Sequence, residues 1–303
     1  MSAITAGTTL ISHVSRGRRL RDRAATLGVW LSVVVAATPL AFVIAYLIQK
    51  GASVVDWDFL TKDIPIISRL PGPGMGPAVL GTLMITGAAT AMAVPLGVLA
   101  AVYLNEYGKK GRLANFIRFL SDVMAGVPSV VMGLFIYTVW VLNKSFKVWV
   151  FHGGQSGFAG ALALGCLMLP IVIRSAETAL QLVPNELREA SAALGARTSR
   201  TILTVVLPAG LSGLVSGALL AVARAAGETA PLLFTIGTVN AANSNLFDGT
   251  NTALSTQIFK NANQPFPAPI QRAWGAALTL ILLVFFLTAL ARLVARRFTL
   301  RQA

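Results

Sequence analysis

Five stretches of this chain carry no charged residue over 19 positions or more: 26–48, 76–105, 153–173, 201–223 and 273–291. An α-helix rises about 1.5 Å per residue, so roughly 20 apolar residues cross a hydrocarbon core about 30 Å thick. A sixth stretch, 117–142, is interrupted only by Arg118 and Asp122 near its start. The composition agrees with membrane-spanning helices: of 303 residues, 55% are hydrophobic and 12% charged, against about a quarter charged in a soluble domain. The expected fold is therefore an all-α polytopic membrane protein. Its six transmembrane helices fall at about 26–48, 77–104, 117–142, 157–180, 208–239 and 273–295. A basic segment, 1–25, precedes this transmembrane domain of 26–300.

A net charge of +14 would suit nucleic acid, but the way the charge is distributed points to the membrane instead. With the N-terminus in the cytoplasm, the inner segments 1–25, 104–118, 174–207 and 292–303 hold seventeen of the 25 Lys and Arg residues. The outer loops hold seven: Lys50, Lys62, Arg69, Lys144, Lys147, Lys260 and Arg272. That asymmetry predicts N-in/C-in insertion, a lipid bilayer as partner and no nucleic acid. The cluster "SRGRRLRDR" (15–23) stands just before the first span, where it anchors the topology. The first apolar run, 23 residues over 26–48, exceeds a signal-peptide core and lacks a small-x-small cleavage site before Gln49, so a retained span is expected.

The single cysteine, Cys166, excludes an intramolecular disulfide. His13 and His152 have no partners at ligand spacing, so no metal site is expected. No nucleophile–base pair is visible, so no catalytic residue is assigned.

The longest inner loop, 181–207, contains "PNELREASAALG". Pro184 and Asn185 read as a helix start, "ELREASAAL" as a strong helix former, and Gly195 as the stop. Pro208 then opens the fifth span. Val127-Pro128 predicts a kink in the third span, because proline removes a backbone donor. Asp122 is expected near that span's N-terminus, where the helix dipole favours a carboxylate. A short amphipathic helix is expected over 252–260, and the glycines at 210, 213, 217 and 227 are expected to bring helices close together.

The inner loop resembles the EAA loop of ABC importer permeases. Glu189-Ala190-Ser191, then three residues and Gly195, then nine residues and Val205-Val206-Leu207-Pro208, keep that spacing throughout; Ser191 and Val205 are the departures. The segments "GTLMITGAATAMAVPLGVLAAVYLNEYG" (81–108), "SDVMAGVPSVVMGLF" (121–135) and "ARAAGETAPLLF" (223–234) are similar to the permeases of the high-affinity phosphate importer. "GPGMGPAVLGTL" and "AWGAAL" look more like its PstA than its PstC subunit. The resemblance covers roughly 27–300. It implies a type I importer permease fold in the bacterial cytoplasmic membrane, a PstC-like permease partner, a pair of PstB-like ATPases and a PstS-like phosphate-binding protein. It also implies that Glu186, Glu189, Ala190, Ser191, Gly195 and Pro208 couple the chain to the ATPase. The sequence contains no GxxxxGK[ST] loop, so ATP and Mg are expected on the partner, with no cofactor on this chain.

Four charges in or near the spans then fall into two pairs, Arg174 with Glu177 and Arg224 with Glu228, each spaced to meet on one helix face. Counted from Pro208, Arg224 lies about 24 Å along the fifth span, beyond the midplane. A guanidinium presents a planar fork of donors that matches a phosphate oxyanion, so Arg224 is expected on the substrate pathway, with Glu228 moderating it. Arg174 and Glu177 lie nearer the cytoplasmic end, and the two pairs need not form one site. Each pair also has a purely structural reading as a self-neutralising contact between helices. A permease for another oxyanion, or an ion-coupled secondary transporter, remain the alternatives.

Overall fold

The computed structural model describes residues 16–67, 69–72, 74–108, 111–142 and 154–299. His13 and His152, with Lys144 and Lys147 of the outer loop, lie outside the described residues. All regular structure among the described residues is helical. Five helices are long and apolar enough to cross a membrane, or six when one sharply bent pair counts as a single span.

Among the described residues, 16–49 form a unit of their own. It lies within helix α1, Arg16–Gly51, which exposes Leu31, Val35 and Phe42 and contains Pro39. A helix apolar on every side is what lipid tolerates, and no amphipathic face is needed.

The second unit begins at Lys50. Helix α2, Trp57–Thr61, is capped by Asp56, whose Oδ1 accepts from the Phe59 amide at 2.6 Å. Helix α3 runs Gly76–Val102 and continues into a π-helical turn, Tyr103–Gly108. Helices α4, Arg112–Gly126, and α5, Ser129–Ile136, make up the third apolar stretch, and α5 ends in a second π turn, Tyr137–Val141. They meet at 104°, so the expected kink is an elbow. Val127 takes an extended conformation (φ −71°, ψ 126°) before Pro128, and that residue pair ends one helix and starts the next. Asp122 consequently sits towards the C-terminal end of α4, where its placement is not explained by the helix dipole.

Helix α6, Gly157–Gln181, is the centre of the unit. Its Ala161, Leu164, Met168 and Val172 pack with Ile85, Ala89 and Ala93 of α3 and with Ala221 and Ala225 of a later helix, α9. Helix α7, Asn185–Ala193, and the single turn α8, Thr198–Thr201, follow. A third π turn, Ile202–Val206, then leads into α9, Leu207–Gly227. Helix α10 is Ala230–Thr235, α11 is Leu254–Ala262 and α12 is Pro267–Thr299.

The fifth span differs from its expected range of 208–239 at both ends. The continuous helix is Thr198–Gly227, and it breaks at Glu228–Thr229 before α10. Pro208 lies inside it. The preceding turn is π-wound, with the Leu207 amide bonded to the Ile202 carbonyl, and this wider winding accommodates a ring that would otherwise press on the carbonyl four residues back.

Small residues set the helix spacing. A methyl group at Gly213 would lie 2.6 Å from Ala179 Cβ, and one at Gly217 would overlap Ser175 Oγ. A methyl group at Gly210 would lie 3.3 Å from Leu180 Cδ2 in the same α6–α9 seam. A methyl group at Gly227 would meet no side chain or neighbouring helix within 4 Å, so this glycine does not bring helices together in this chain. Gly133 on α5 faces Pro231 on α10, where an added Cβ would come within 2.5 Å of the proline Cα. The two short helices that follow the two breaks thus pack directly on one another.

Candidate functional site

The loop bearing the coupling residues is built around α7, none of whose residues is fully buried. Leu194 caps its C-terminus and Gly195 follows at φ +77°, a conformation that glycine adopts without the steric cost of a Cβ. The Gly195 amide bonds the Ala192 carbonyl at 2.9 Å and the Ala196 amide bonds Ser191 at 3.2 Å, the paired bonds of a Schellman stop. Glu186, Glu189, Ala190 and Gly195 face out from this helix and its stop, while Ser191 is half-buried. A groove of about 590 Å³ runs along it, lined by Leu187, Ser191, Leu194, Arg200 and Thr204 among others. Pro208 stands apart, half-buried within the long fifth-span helix.

Of the two charge pairs expected from sequence spacing, one forms and the other is replaced by contacts with α4. Arg174 and Glu177 do not pair with each other. Arg118 of α4 donates from Nε to Glu177 Oε1 at 2.7 Å and from Nη2 to the Leu104 carbonyl at 3.1 Å. Arg174 pairs with Asp122 of α4. The two bridges therefore tie α4 to α6, around a small polar cleft of about 230 Å³ that also includes Thr178 and Gln181. Glu177 is buried, whereas Arg174 and Asp122 are about half exposed.

Sequence reasoning counted Arg118 only as a topology charge and missed its role as a partner. A signal was present: Arg118 and Asp122 on one helix stand opposite Glu177 and Arg174 on the other, which is the order an antiparallel pair needs.

Arg224 and Glu228 are brought together, but loosely. Nε and Oε1 are 3.6 Å apart, too far for a hydrogen bond, and the arginine side chain is 67% exposed. Arg224 occupies the last turn of α9, where the helix dipole favours a cation. Glu228 lies just past the helix end, its side chain mostly buried, and its carbonyl accepts from Ser255 Oγ of α11 at 2.9 Å. Arg224 is thus paired with Glu228 and Arg174 with Asp122, so the two pairs share no partner.

Membrane-length helices α3 and α9 thus pack on α6, and an exposed helix closed by a Schellman stop follows it. The chain belongs to the family described as binding-protein-dependent transport system inner membrane component, whose model matches residues 93–300. It is 41% identical over 287 residues to the phosphate transport system permease protein PstA 1 of Mycobacterium tuberculosis, covering 92% of this chain and 91% of that one. It is 39% identical to PstA of Haemophilus influenzae, over 87% of this chain and 90% of that one. It is 38% identical to PstA of Yersinia pestis, over 91% and 90%. Among solved structures, it resembles a chain of a bacterial alginate ABC transporter with a TM-score of 0.65 at 14% identity, covering 93% of this chain and 97% of that one. A chain of the inward-facing MetNI methionine ABC transporter gives 0.59 at 18%, over 74% and 96%. These likenesses establish the type I ABC importer permease fold.

Proposed function

We propose that this chain is the PstA-like permease subunit of an ATP-driven phosphate importer, forming half of its translocation pathway. The observation that carries the reading is the exposed guanidinium of Arg224, held in the last turn of a membrane-length helix. It belongs to a chain whose relatives at 38–41% identity are named phosphate permeases. An arginine so exposed from its own subunit is too costly to leave against lipid. It is well suited to a passing oxyanion, for which its fork of donors is shaped.

In this reading a PstC-like permease supplies the other half of the pathway and a PstS-like protein delivers phosphate from outside. A pair of PstB-like ATPases receives α7 through Glu186, Glu189, Ala190 and Ser191. ATP and Mg reside on those ATPases, and this chain performs no catalysis and holds no cofactor. The distribution of basic residues supports a bacterial cytoplasmic membrane location with both termini inside. Arg174 and Glu177, braced by Asp122 and Arg118, stand on the inner part of the pathway.

The test is uptake by the purified complex in proteoliposomes. Phosphate uptake should require ATP and persist in excess sulfate. Equal competition by sulfate would assign another oxyanion, and uptake by this chain without an ATPase would assign a secondary transporter. Arg224→Gln should keep the ATPase bound but lower phosphate uptake roughly tenfold or more, the loss of one charge-assisted contact. Unchanged uptake by this variant would remove Arg224 from the pathway.

A further inference from the structure

Arg188 of α7 turns inward, with its side chain 20% exposed. Its Nη2 donates to Glu106 Oε1 at 2.9 Å and to the Leu180 carbonyl at 3.0 Å. Its Nη1 donates to the Val183 carbonyl at 2.7 Å and to Asn185 Oδ1 at 3.2 Å, and Nε lies 3.3 Å from both Glu106 oxygens. The Glu106 side chain is 9% exposed and also accepts from Asn105 Nδ2 at 2.7 Å. One guanidinium therefore joins α7 to the last turn of α6, to the Val183 carbonyl just beyond it and to the π turn that follows α3. A second tie lies one turn further along the helix, where Ser191 Oγ meets Thr201 Oγ1 at 2.8 Å. Thr201 is buried and immediately precedes the π turn that opens the fifth span.

Both attachments thus end at a π turn. Such turns are wound more widely than an α-helix, carry a displaced hydrogen-bond ladder and recur at functional sites. By contrast, the charge-assisted fork between Arg188, Glu106 and two carbonyls is short, multiple and largely shielded, which makes it stiff.

We propose that Arg188 and Glu106 form a strut that makes α7 move as one body with the inner end of α6 and the turn carrying Glu106, so that the π turns at 103–108 and 202–206 are the compliant links that pass the movement to α3 and α9. The inference rests on the reading that α7 docks on an ATPase, and it adds how the movement leaves α7. Arg188 and Glu106 are positioning residues: they act through the helices and touch neither nucleotide nor phosphate. Ser191, a departure from the EAA pattern, belongs to the second tie because only a hydroxyl there can reach Thr201.

The experiment compares wild type, Glu106→Gln and Arg188→Lys in the assembled transporter with its ATPase and binding protein. It measures ATPase retained on purification, ATP hydrolysis and phosphate moved per ATP. Both variants should keep the ATPase and continue to hydrolyse ATP, while phosphate moved per ATP falls about fivefold, the lower end of typical coupling energies. A purely structural role would lower the amount of complex and leave that ratio alone. Ser191→Ala leaves no buried charge behind, so folding is not at issue, and its ratio should fall less. An unchanged ratio in all three variants would overturn the strut. So would loss of the ATPase from Glu106→Gln at unaltered melting, because the pair would then belong to the docking surface. If wild type itself brings no ATPase, the functional reading fails, independently of the strut.

Discussion

Arg224 and Glu228 stand 3.6 Å apart, close enough to attract and too far to lock together. With the arginine 67% exposed, solvent screens their attraction to about 0–1 kcal/mol. An arriving oxyanion must compete with it, and a departing one is helped by it. Replacing Glu228 by Gln should therefore let the arginine hold phosphate longer: uptake per second drops and phosphate remains bound to the complex after washing. Uptake and release both matching wild type would show that Glu228 merely neutralises its neighbour. These two residues were legible in the sequence because they interrupt an uncharged region. Arg174 and Glu177 were legible for the same reason, but their partners were not. Spacing of three along one helix admits a local pair, and only the packing of α4 on α6 decides that Arg118 and Asp122 capture them instead.

At the scale of the helix, the seam between α6 and α9 depends on residues without side chains. Gly217→Ala would drive a methyl into Ser175, and Gly213→Ala would press on Ala179 at 2.6 Å. Each substitution should cost about 1–3 kcal/mol as overpacking, measured as a lower melting temperature of the purified permease pair. Gly227→Ala meets open space and should leave melting unchanged. The sequence shows all of these glycines as small residues on one span, and nothing local distinguishes the packed ones from the free one. The same limit applies to the breaks. Val127-Pro128 is read correctly as an interruption, but a proline specifies a missing donor and no angle. The angle follows from α5 lying on α10 through Gly133 and Pro231, a contact between positions almost a hundred residues apart. The stop at Gly227 has no proline before it to signal it. Helix α7 and its Schellman stop were fully readable, because capping is a local matter settled within six residues.

For the whole molecule, the uncharged runs defined the class of fold, since hydrophobic length is a property of contiguous sequence. The sequence could not show that α6 is the hub, which is known only once α3 and α9 are seen packed against it. The elbow between α4 and α5 bears on the molecule as a whole. A helix satisfies its backbone internally, and one that stops within the thickness of a bilayer leaves its last carbonyls and the next helix's first amides without partners. Hydrocarbon offers them none, so irregular backbone at that depth survives only against protein or beside water. The Val127–Ser129 bend, whose Pro128 is exposed in this chain, is therefore expected to stand against a partner's protein or beside water, and not against lipid. Ser129→Cys, in a chain whose Cys166 has been replaced by Ala, should react with a membrane-impermeant thiol reagent in the assembled transporter. A cysteine at Phe42, exposed in the middle of the uncharged run of α1, should stay unlabelled.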